Sequence, residues 1–139
     1  MKFKSSSVKE TIEFGRKFAE ELKAGDVVCL EGDLGAGKTH FVKGIASGFG
    51  IDQEKVNSPT FTLINEYYGE IPIFHFDCYR LKTIQEALEI GIEEYLYGEG
   101  VSVIEWPSKI KEIIPENAIQ IEIKHEGTSE RSILISDRS

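Results

Sequence analysis

Two stretches near the N-terminus repeat their apolar residues at helical spacing. The stripe of the first stretch consists of Val8, Ile12, Gly15, Ala19 and Leu22. Ser7 precedes it and Glu10 follows three residues later, which is the capping-box pattern of a helix start. Gly25 is a typical helix stop, so the pattern predicts a helix from about Val8 to Ala24. A second stripe between Phe41 and Phe49 predicts another helix.

Short apolar runs separated by turn residues predict strands. We expect strands at 27–30, 61–68, 73–77, 101–105, 118–125 and 132–136, with a turn at Gly127 between the last two. A capping box from Thr83 to Glu86 opens a short helix that ends near Ile90. Continuous apolar runs are typical of buried parallel strands and alternating ones of antiparallel strands. The order therefore predicts an α/β sandwich with a mainly parallel central sheet, antiparallel edge strands and helices on both faces.

Composition limits the class of protein. A chain of 139 residues with 40% hydrophobic content is expected to form one domain, 1–139, with its own core. No apolar run approaches the length of a membrane span, and the start of the chain lacks the apolar segment of a secretory signal. Cys29 and Cys78 lie in apolar segments without metal-ligand spacing, so we expect buried thiols and a cytoplasmic protein.

The formal charge of −8 argues against nucleic acid as a direct binding partner. Proteins that hold DNA or RNA through phosphates normally carry a basic surface, and this chain has no cluster of lysine and arginine. We therefore expect no direct, tight binding of RNA or DNA by this protein alone. Since no apolar run is long enough to span a bilayer, we also expect no membrane partner.

The pattern G-x-x-x-x-G-K-[ST] stands between the first predicted buried strand and the second helix. Gly32, Gly37, Lys38 and Thr39 fill its defined positions. The glycines let the backbone turn its N–H groups toward an anion, and the following helix directs its positive end to the same point. Lys38 is then expected on the β- and γ-phosphates and Thr39 on Mg²⁺. The loop residues expected around the phosphates are Asp33, Leu34, Gly35, Ala36 and Gly37. Strand, loop and helix in this order predict a P-loop NTPase-like sandwich.

Two acids end predicted strands and compete for the second metal position. Asp77 and Glu105 each follow an apolar run, and ligands of open α/β sheets bind beyond such strand ends. The hydroxyls of Ser58 and Thr60 lie in a loop that either closes over the γ-phosphate or is a simple turn into a strand. Trp106 is either an exposed partner anchor or part of the core.

The three histidines show no such pattern. His40, His75 and His125 stand without a nucleophile or a metal partner at a recognisable spacing. We therefore interpret all three as structural residues.

Four blocks of the chain together resemble one known family, the bacterial TsaE proteins (formerly YjeE). The blocks are GDLGAGKT at 32–39, NSPTFTL at 57–63, HFDCYRL at 75–81 and EWP at 105–107. Members are small ATPases of the tRNA threonylcarbamoyladenosine pathway. The resemblance implies a Mg²⁺-dependent protein that hydrolyses ATP slowly by itself. It also implies docking on a complex of the TsaD and TsaB proteins, which modifies adenosine 37 of tRNA, so that contact with tRNA is indirect.

The resemblance also implies roles for single residues. It makes Lys38 and Thr39 ligands of phosphate and Mg²⁺, and Glu105 a second Mg²⁺ ligand. Thr60 and Asp77 are then required near the γ-phosphate, with Lys38, Asp77 and Thr60 as the catalytic set, and Ser58 joins the nucleotide-binding residues. Trp106 is assigned to the partner surface. Thr11 and Arg131 correspond to contacts at the far end of the nucleotide.

Three positions depart from the family pattern: His40, Cys78 and Ser108 stand where a hydroxyl residue, Leu and Glu are usual. None of the three removes a residue expected to bind phosphate or metal. His40 is the departure that concerns the affinity for the nucleotide, on the side of the α-phosphate.

Other nucleotide-binding classes fit less well. A small-molecule kinase needs a lid with arginines, for which the length and the scattered arginines leave no room. A GTPase needs N-K-x-D and D-x-x-G sequences, which the chain lacks. A scaffold that senses ATP without hydrolysing it stays open as an alternative, because the residue that orients the attacking water is not identified by the pattern. Asp77 is the candidate.

Overall fold

The structure is a computed structural model that describes residues 2–33, 37–57, 63–127 and 129–136. Its strands are β1 (Lys2–Ser5), β2 (Val27–Glu31), β3 (Ile64–Tyr67), β4 (Ile73–Asp77), β5 (Val101–Glu105), β6 (Ile119–His125) and β7 (Arg131–Ser136). Its helices are α1 (Val8–Ala19), α2 (Lys38–Gly48), α3 (Ile84–Glu89) and α4 (Ile92–Leu96), with 3₁₀ turns at Gln53–Lys55 and Pro107–Ile113.

The seven strands form one sheet in the order β1-β7-β6-β2-β5-β4-β3. The four inner strands, β6, β2, β5 and β4, run parallel to one another. Antiparallel pairing occurs at both sides, where β7 joins β6, β1 joins β7, and β3 joins β4. The predicted mainly parallel sheet with antiparallel edge strands is confirmed.

Helices cover the sheet on both faces, as predicted. On one face α1 and α2 pack on side chains such as Val28, Leu30 and Val103. On the other face α3, α4 and the second 3₁₀ turn pack on side chains such as Cys29 and Ile104. Because successive residues of a strand point to opposite faces, the alternation in β2 and β5 separates the two cores.

Helix α1 ends at Ala19, earlier than the predicted Ala24. After Ala19 the backbone N–H groups of Glu20, Glu21 and Leu22 donate three residues back, to Lys17, Phe18 and Ala19. The α-helical pattern therefore tightens into 3₁₀-type turns, which are common at helix ends. Leu22 is still buried, so the apolar stripe continued past the regular helix.

Strand β3 covers only Ile64–Tyr67 of the predicted 61–68, and residues 61 and 62 lie outside the described part of the chain. Strand β1, helix α4 and the turn at Pro107–Ile113 were not predicted. Among the described residues, no helix combines the length and the apolar character that a membrane span requires.

Helices α1 and α2 approach each other closely at two glycines. A Cβ atom built on Gly44 would lie 2.1 Å from the carbonyl oxygen of Ile12, and one on Gly15 would lie 2.5 Å from that of Phe41. Only glycine allows backbones this near. The crossing therefore fixes α2, whose first residues belong to the candidate site, against α1.

Candidate functional site

Helix α2 begins at the centre of the sheet, shortly after the carboxyl end of β2. Its first residue is Lys38, and its N-cap is Gly37 in the left-handed region, with φ of 102°. No side chain in the described part of the chain caps the helix start, so the first N–H groups stay available for an anion. Thr39 is half-buried in this first turn, and Asp33 is exposed just beyond β2. Leu34, Gly35 and Ala36 lie outside the described residues, as do Ser58 and Thr60.

The two strand-end acids lie side by side. Asp77 and Glu105 are direct partners in the pairing of β4 with β5. Both point to the face covered by α1 and α2, because Val103, two residues before Glu105, belongs to that core. Glu105 is 4% exposed, whereas Asp77 is half-buried. The structure thus brings both predicted metal candidates to one site.

Lys38 meets Glu105 inside the protein. Its Nζ atom lies 3.6 Å from Glu105 Oε1 and 4.6 Å from the centroid of the Trp106 ring. The lysine side chain is 6% exposed, and within the described residues its Nζ has no hydrogen-bond acceptor. A buried ammonium that lacks acceptors is costly, so this atom fits an incoming phosphate oxygen.

Glu105 has a second partner that sequence reasoning missed. His75 is fully buried, and its Nε2 lies 2.5 Å from Glu105 Oε2. The interpretation of His75 as merely structural overlooked this contact with the site. One available signal was the alternation along β4, which puts His75 and Asp77 on the same face.

The two acids have pKa values displaced in opposite directions. Burial acts to raise the pKa of Glu105, but the hydrogen bond from His75 and the attraction of His75 and Lys38 outweigh it, so the pKa is lowered. The pKa of Asp77 is raised, chiefly by burial, although its Oδ1 accepts a hydrogen bond from the Tyr79 N–H at 3.0 Å. Glu105 is therefore ionised and ready for a cation at neutral pH.

Trp106 is neither fully exposed nor part of the closed core. It is half-buried, its backbone is left-handed with φ of 57°, and it precedes the turn at Pro107–Ile113. Its ring packs on Tyr79, with ring centroids 4.8 Å apart, while Lys38 lies over its face. The exposed fraction of Tyr79, 48%, extends this aromatic surface to the outside of the protein.

A separate pocket of about 140 Å³ adjoins the start of α2. It is lined by Ser7, Val8, Thr11, Gly37, His40, Ser129 and Arg131. Thr11 is buried and its hydroxyl is 2.7 Å from that of Ser5, while Arg131 lies beside Gly37. The pKa of His40 is lowered by burial and then by the charges of Lys43 and Arg131. Thr11 and Arg131, distant in sequence, thus line one pocket together with Gly37.

The residues present fit a magnesium ion bound together with a nucleotide. Across 2–33, 37–57, 63–127 and 129–136, no three His, Cys, Asp or Glu side chains form a metal cage. Mg²⁺ does not need one, because it commonly keeps its waters and binds one or two carboxylates plus substrate phosphates. The ionised Glu105 is a carboxylate ligand of that kind, and its Oε1 atom lies 3.6 Å from the ammonium of Lys38.

Cys29 and Cys78 are both buried, as predicted, and neither forms a disulfide bond. Burial raises the pKa of Cys78 to about 12, so its thiol is inert at neutral pH.

Comparison with known proteins identifies the family. The sequence model of the TsaE family, "Threonylcarbamoyl adenosine biosynthesis protein TsaE", matches residues 5–133. The tRNA threonylcarbamoyladenosine biosynthesis protein TsaE of Bacillus subtilis is 46% identical over 134 residues, 96% of this chain and 83% of its own length. The protein of the same name from Treponema pallidum is 40% identical over 98% of this chain and all of its own length.

A solved structure agrees with these matches. The crystal structure of YdiB from Bacillus subtilis superposes with a TM-score of 0.83 at 38% identity, and the match covers 100% of this chain and 86% of that one. Since the family model matches nearly the whole sequence and relatives are more than 30% identical over most of their length, this chain belongs to the TsaE family.

Proposed function

We propose that this protein is a Mg²⁺-dependent ATPase of the tRNA threonylcarbamoyladenosine machinery, acting in the cytoplasm through a complex of TsaD and TsaB. The observation that carries the proposal is the buried Lys38 Nζ, which has no hydrogen-bond acceptor in the described part of the chain and lies 3.6 Å from the carboxylate of Glu105. A cation and an anion held this way at the start of a glycine-capped helix fit a nucleotide phosphate and its metal.

The residues of the chain then have distinct tasks. Lys38 and the free N–H groups of α2 neutralise the β- and γ-phosphates, and the Thr39 hydroxyl and Glu105 hold the ion. Bound Mg²⁺ supplies charge compensation to the phosphate oxygens. Thr60 is expected to close over the γ-phosphate, with Ser58 beside it.

Asp77 is the candidate for orienting the attacking water. It is half-buried beside Glu105, and its raised pKa moves it toward the range in which a carboxylate accepts a proton effectively. Thr11 and Arg131, together in the pocket next to Gly37, are proposed to bind the part of the nucleotide beyond the phosphates.

The place in tRNA modification is proposed from the relatives. Those from Bacillus subtilis and Treponema pallidum are named as tRNA threonylcarbamoyladenosine biosynthesis proteins. The aromatic surface of Trp106 and Tyr79 adjoins Lys38, so a protein partner that docks there would contact the nucleotide site. Contact with tRNA then comes through the partner.

ATP turnover with and without the TsaD–TsaB pair tests the function. We expect slow hydrolysis by the protein alone and faster hydrolysis in the complex.

Lys38→Ala should lower turnover by about 100-fold or more, because one charged donor to a developing anion contributes about that much. The matched control is Lys17→Ala, an exposed lysine of α1, which should leave turnover unchanged. Full turnover by Lys38→Ala would refute the role of the phosphate loop. Failure of the TsaD–TsaB pair to stimulate would refute the machine role, and transfer of phosphate to a metabolite would identify a kinase instead.

A further inference from the structure

A chain of polar contacts runs behind Glu105, away from Lys38. Glu105 Oε2 lies 2.5 Å from His75 Nε2, and the other ring nitrogen of His75 lies 3.4 Å from the Tyr67 hydroxyl. That hydroxyl donates to the backbone carbonyl of Asn57 at 2.9 Å and accepts from the Asn57 N–H at 3.2 Å. The chain therefore begins at the metal candidate and ends on the main chain.

The two oxygens of Glu105 have different surroundings. Oε2 is occupied by His75, whereas Oε1 faces Lys38 at 3.6 Å. The last torsion of a glutamate has broad preferences, so the side chain alone does not fix the plane of its carboxylate. A carboxylate oxygen only accepts hydrogen bonds, so in this 2.5 Å contact His75 Nε2 is the donor and Oε2 the acceptor. The imidazole therefore donates to Glu105 and sets which oxygen faces the phosphate loop.

The imidazole is itself held in place. His75 is fully buried in the middle of β4, and Tyr67 on the neighbouring β3 is 6% exposed. Tyr67 does not rest on another mobile side chain, because both polar groups of the Asn57 backbone hold its hydroxyl. Asn65 adds a hydrogen bond from Nδ2 to the same hydroxyl at 3.3 Å. The single proton of the Tyr67 hydroxyl lies toward the nearer acceptor, the Asn57 carbonyl, so its 3.4 Å contact with His75 Nδ1 is weak and the fixed hydroxyl acts as a polar neighbour of the ring.

We propose that His75 is a positioning residue, which orients the Glu105 carboxylate for the divalent cation that accompanies ATP, and that Tyr67 supports it. This inference rests on the proposed ATPase function. It adds a supporting layer to the site, because His75 acts through Glu105 and not on the nucleotide. A purely structural histidine would instead affect the fold and the whole site alike.

The two roles separate in binding measurements. Loss of positioning weakens the binding of the cation to the ATP complex and leaves the binding of metal-free ATP to Lys38 and α2 unchanged. Damage to the fold weakens both. Mutation of groups that orient metal ligands typically costs about 10- to 100-fold in metal affinity.

Three variants provide the test. His75→Leu removes the donor at similar volume, and His75→Gln restores an N–H near the place of Nε2. Tyr67→Phe removes only the supporting hydroxyl. The control is His125→Gln, which changes an exposed histidine at the end of β6. The probe is Mn²⁺, whose binding to the complex with a non-hydrolysable ATP analogue is followed by electron paramagnetic resonance. Calorimetry in EDTA gives the affinity for metal-free ATP, and thermal unfolding verifies the fold of every variant.

We expect about 10- to 100-fold weaker Mn²⁺ binding for His75→Leu and recovery to within about threefold for His75→Gln. Tyr67→Phe should show a smaller loss, and metal-free ATP should bind all variants alike. If the wild type binds Mn²⁺ with ATP but His75→Leu binds it equally well, the positioning role is refuted while the ATPase function stands. If His75→Leu weakens metal-free ATP binding equally, the role is structural and the inference is wrong. If the wild-type complex does not bind Mn²⁺ at all, the proposed function itself fails and the inference with it.

Discussion

Asp77 and Glu105 show how two neighbouring carboxylates acquire different properties. They are paired directly across β4 and β5, yet the pKa of Glu105 is lowered and that of Asp77 is raised. At Glu105 the hydrogen bond and charge of His75 and the charge of Lys38 outweigh burial, whereas at Asp77 burial outweighs the hydrogen bond from the Tyr79 N–H. One acid is thus stabilised as an anion, and the other is closer to accepting a proton.

Neutralising Asp77 should stabilise the fold at neutral pH. Its pKa is raised in the folded protein, so folding favours its protonated form, and this stabilisation is lost as the pH rises through the folded-state pKa. Asp77→Asn resembles the protonated form and keeps an oxygen for the Tyr79 N–H. We expect its melting temperature at pH 7 to be about 1–3 °C higher, a small gain because the side chain is partly solvated. The gain should disappear as the pH falls to about 4, where aspartate normally protonates.

The same variant connects stability to activity. If Asp77 orients the attacking water, Asp77→Asn should lose turnover by about 10-fold or more while it gains stability. Glu99→Gln, an exposed acid outside the site, is the control and should change neither quantity. Thermal unfolding from pH 4 to 7 and ATP turnover in the TsaD–TsaB complex are the measurements. Full turnover by Asp77→Asn would exclude the assignment.

At the scale of secondary-structure elements, the local pattern of apolar and polar residues predicted most of the strands and helices. The apolar runs that end in Asp77 and Glu105 predicted β4 and β5 with their observed bounds, because each run follows a turn residue, Pro72 or Gly100, and ends in an acid. The glycine loop likewise predicted that a helix follows β2. These features depend on residues close together in the sequence, so the sequence shows them.

Other features depend on contacts between distant segments, which no local pattern specifies. β1 is a four-residue strand that forms by pairing with β7, at the opposite end of the sequence. The contact of His75 with Tyr67 depends on the register of β3 against β4, in which Asn65 faces His75. The meeting of Thr11 and Arg131 depends on the whole sheet order. Residues 34–36 and 58–62 lie outside the described chain, so the predictions for Leu34, Gly35, Ala36, Ser58 and Thr60 stay predictions.

The crossing of α1 and α2 should be sensitive to a single methyl group. Gly44→Ala would place a Cβ 2.1 Å from the Ile12 carbonyl oxygen, and backbone cannot yield as a flexible side chain can. The helices must separate, so we expect a loss of about 1–3 kcal/mol in the free energy of unfolding, measured with denaturant in one cooperative transition. Because α2 carries Lys38 and Thr39, ATP affinity should fall as well.

The neighbouring Ser47→Ala is a suitable control for that change. Ser47 lies one turn further along α2 and is half-buried, so alanine there should change the stability by less than about 0.5 kcal/mol. Equal stability of Gly44→Ala and the wild type would show that the close crossing does not constrain α2.

At the scale of the whole molecule, charge limits what the protein binds by itself. The chain carries 24 acidic against 16 basic residues. Lys38, the basic residue at the candidate site, is buried against Glu105 and is therefore not displayed on the surface. A tRNA backbone that approaches this acidic protein therefore meets repulsion at long range.

We therefore expect the isolated protein to bind tRNA with a dissociation constant weaker than about 100 µM at physiological salt, which is the weak end of non-specific binding. Fluorescence anisotropy of a labelled tRNA measures this, with the TsaD–TsaB pair as the positive control. If the proposed docking on that pair is correct, adding this protein to the pair and tRNA should increase the anisotropy, because net charge does not prevent contacts between proteins. Tight tRNA binding by the chain alone, weakening steeply as salt rises, would show a direct phosphate-binding surface and contradict the indirect role. We expect a weak, salt-insensitive anisotropy signal from the chain alone and a higher anisotropy when the chain is added to the TsaD–TsaB pair with tRNA.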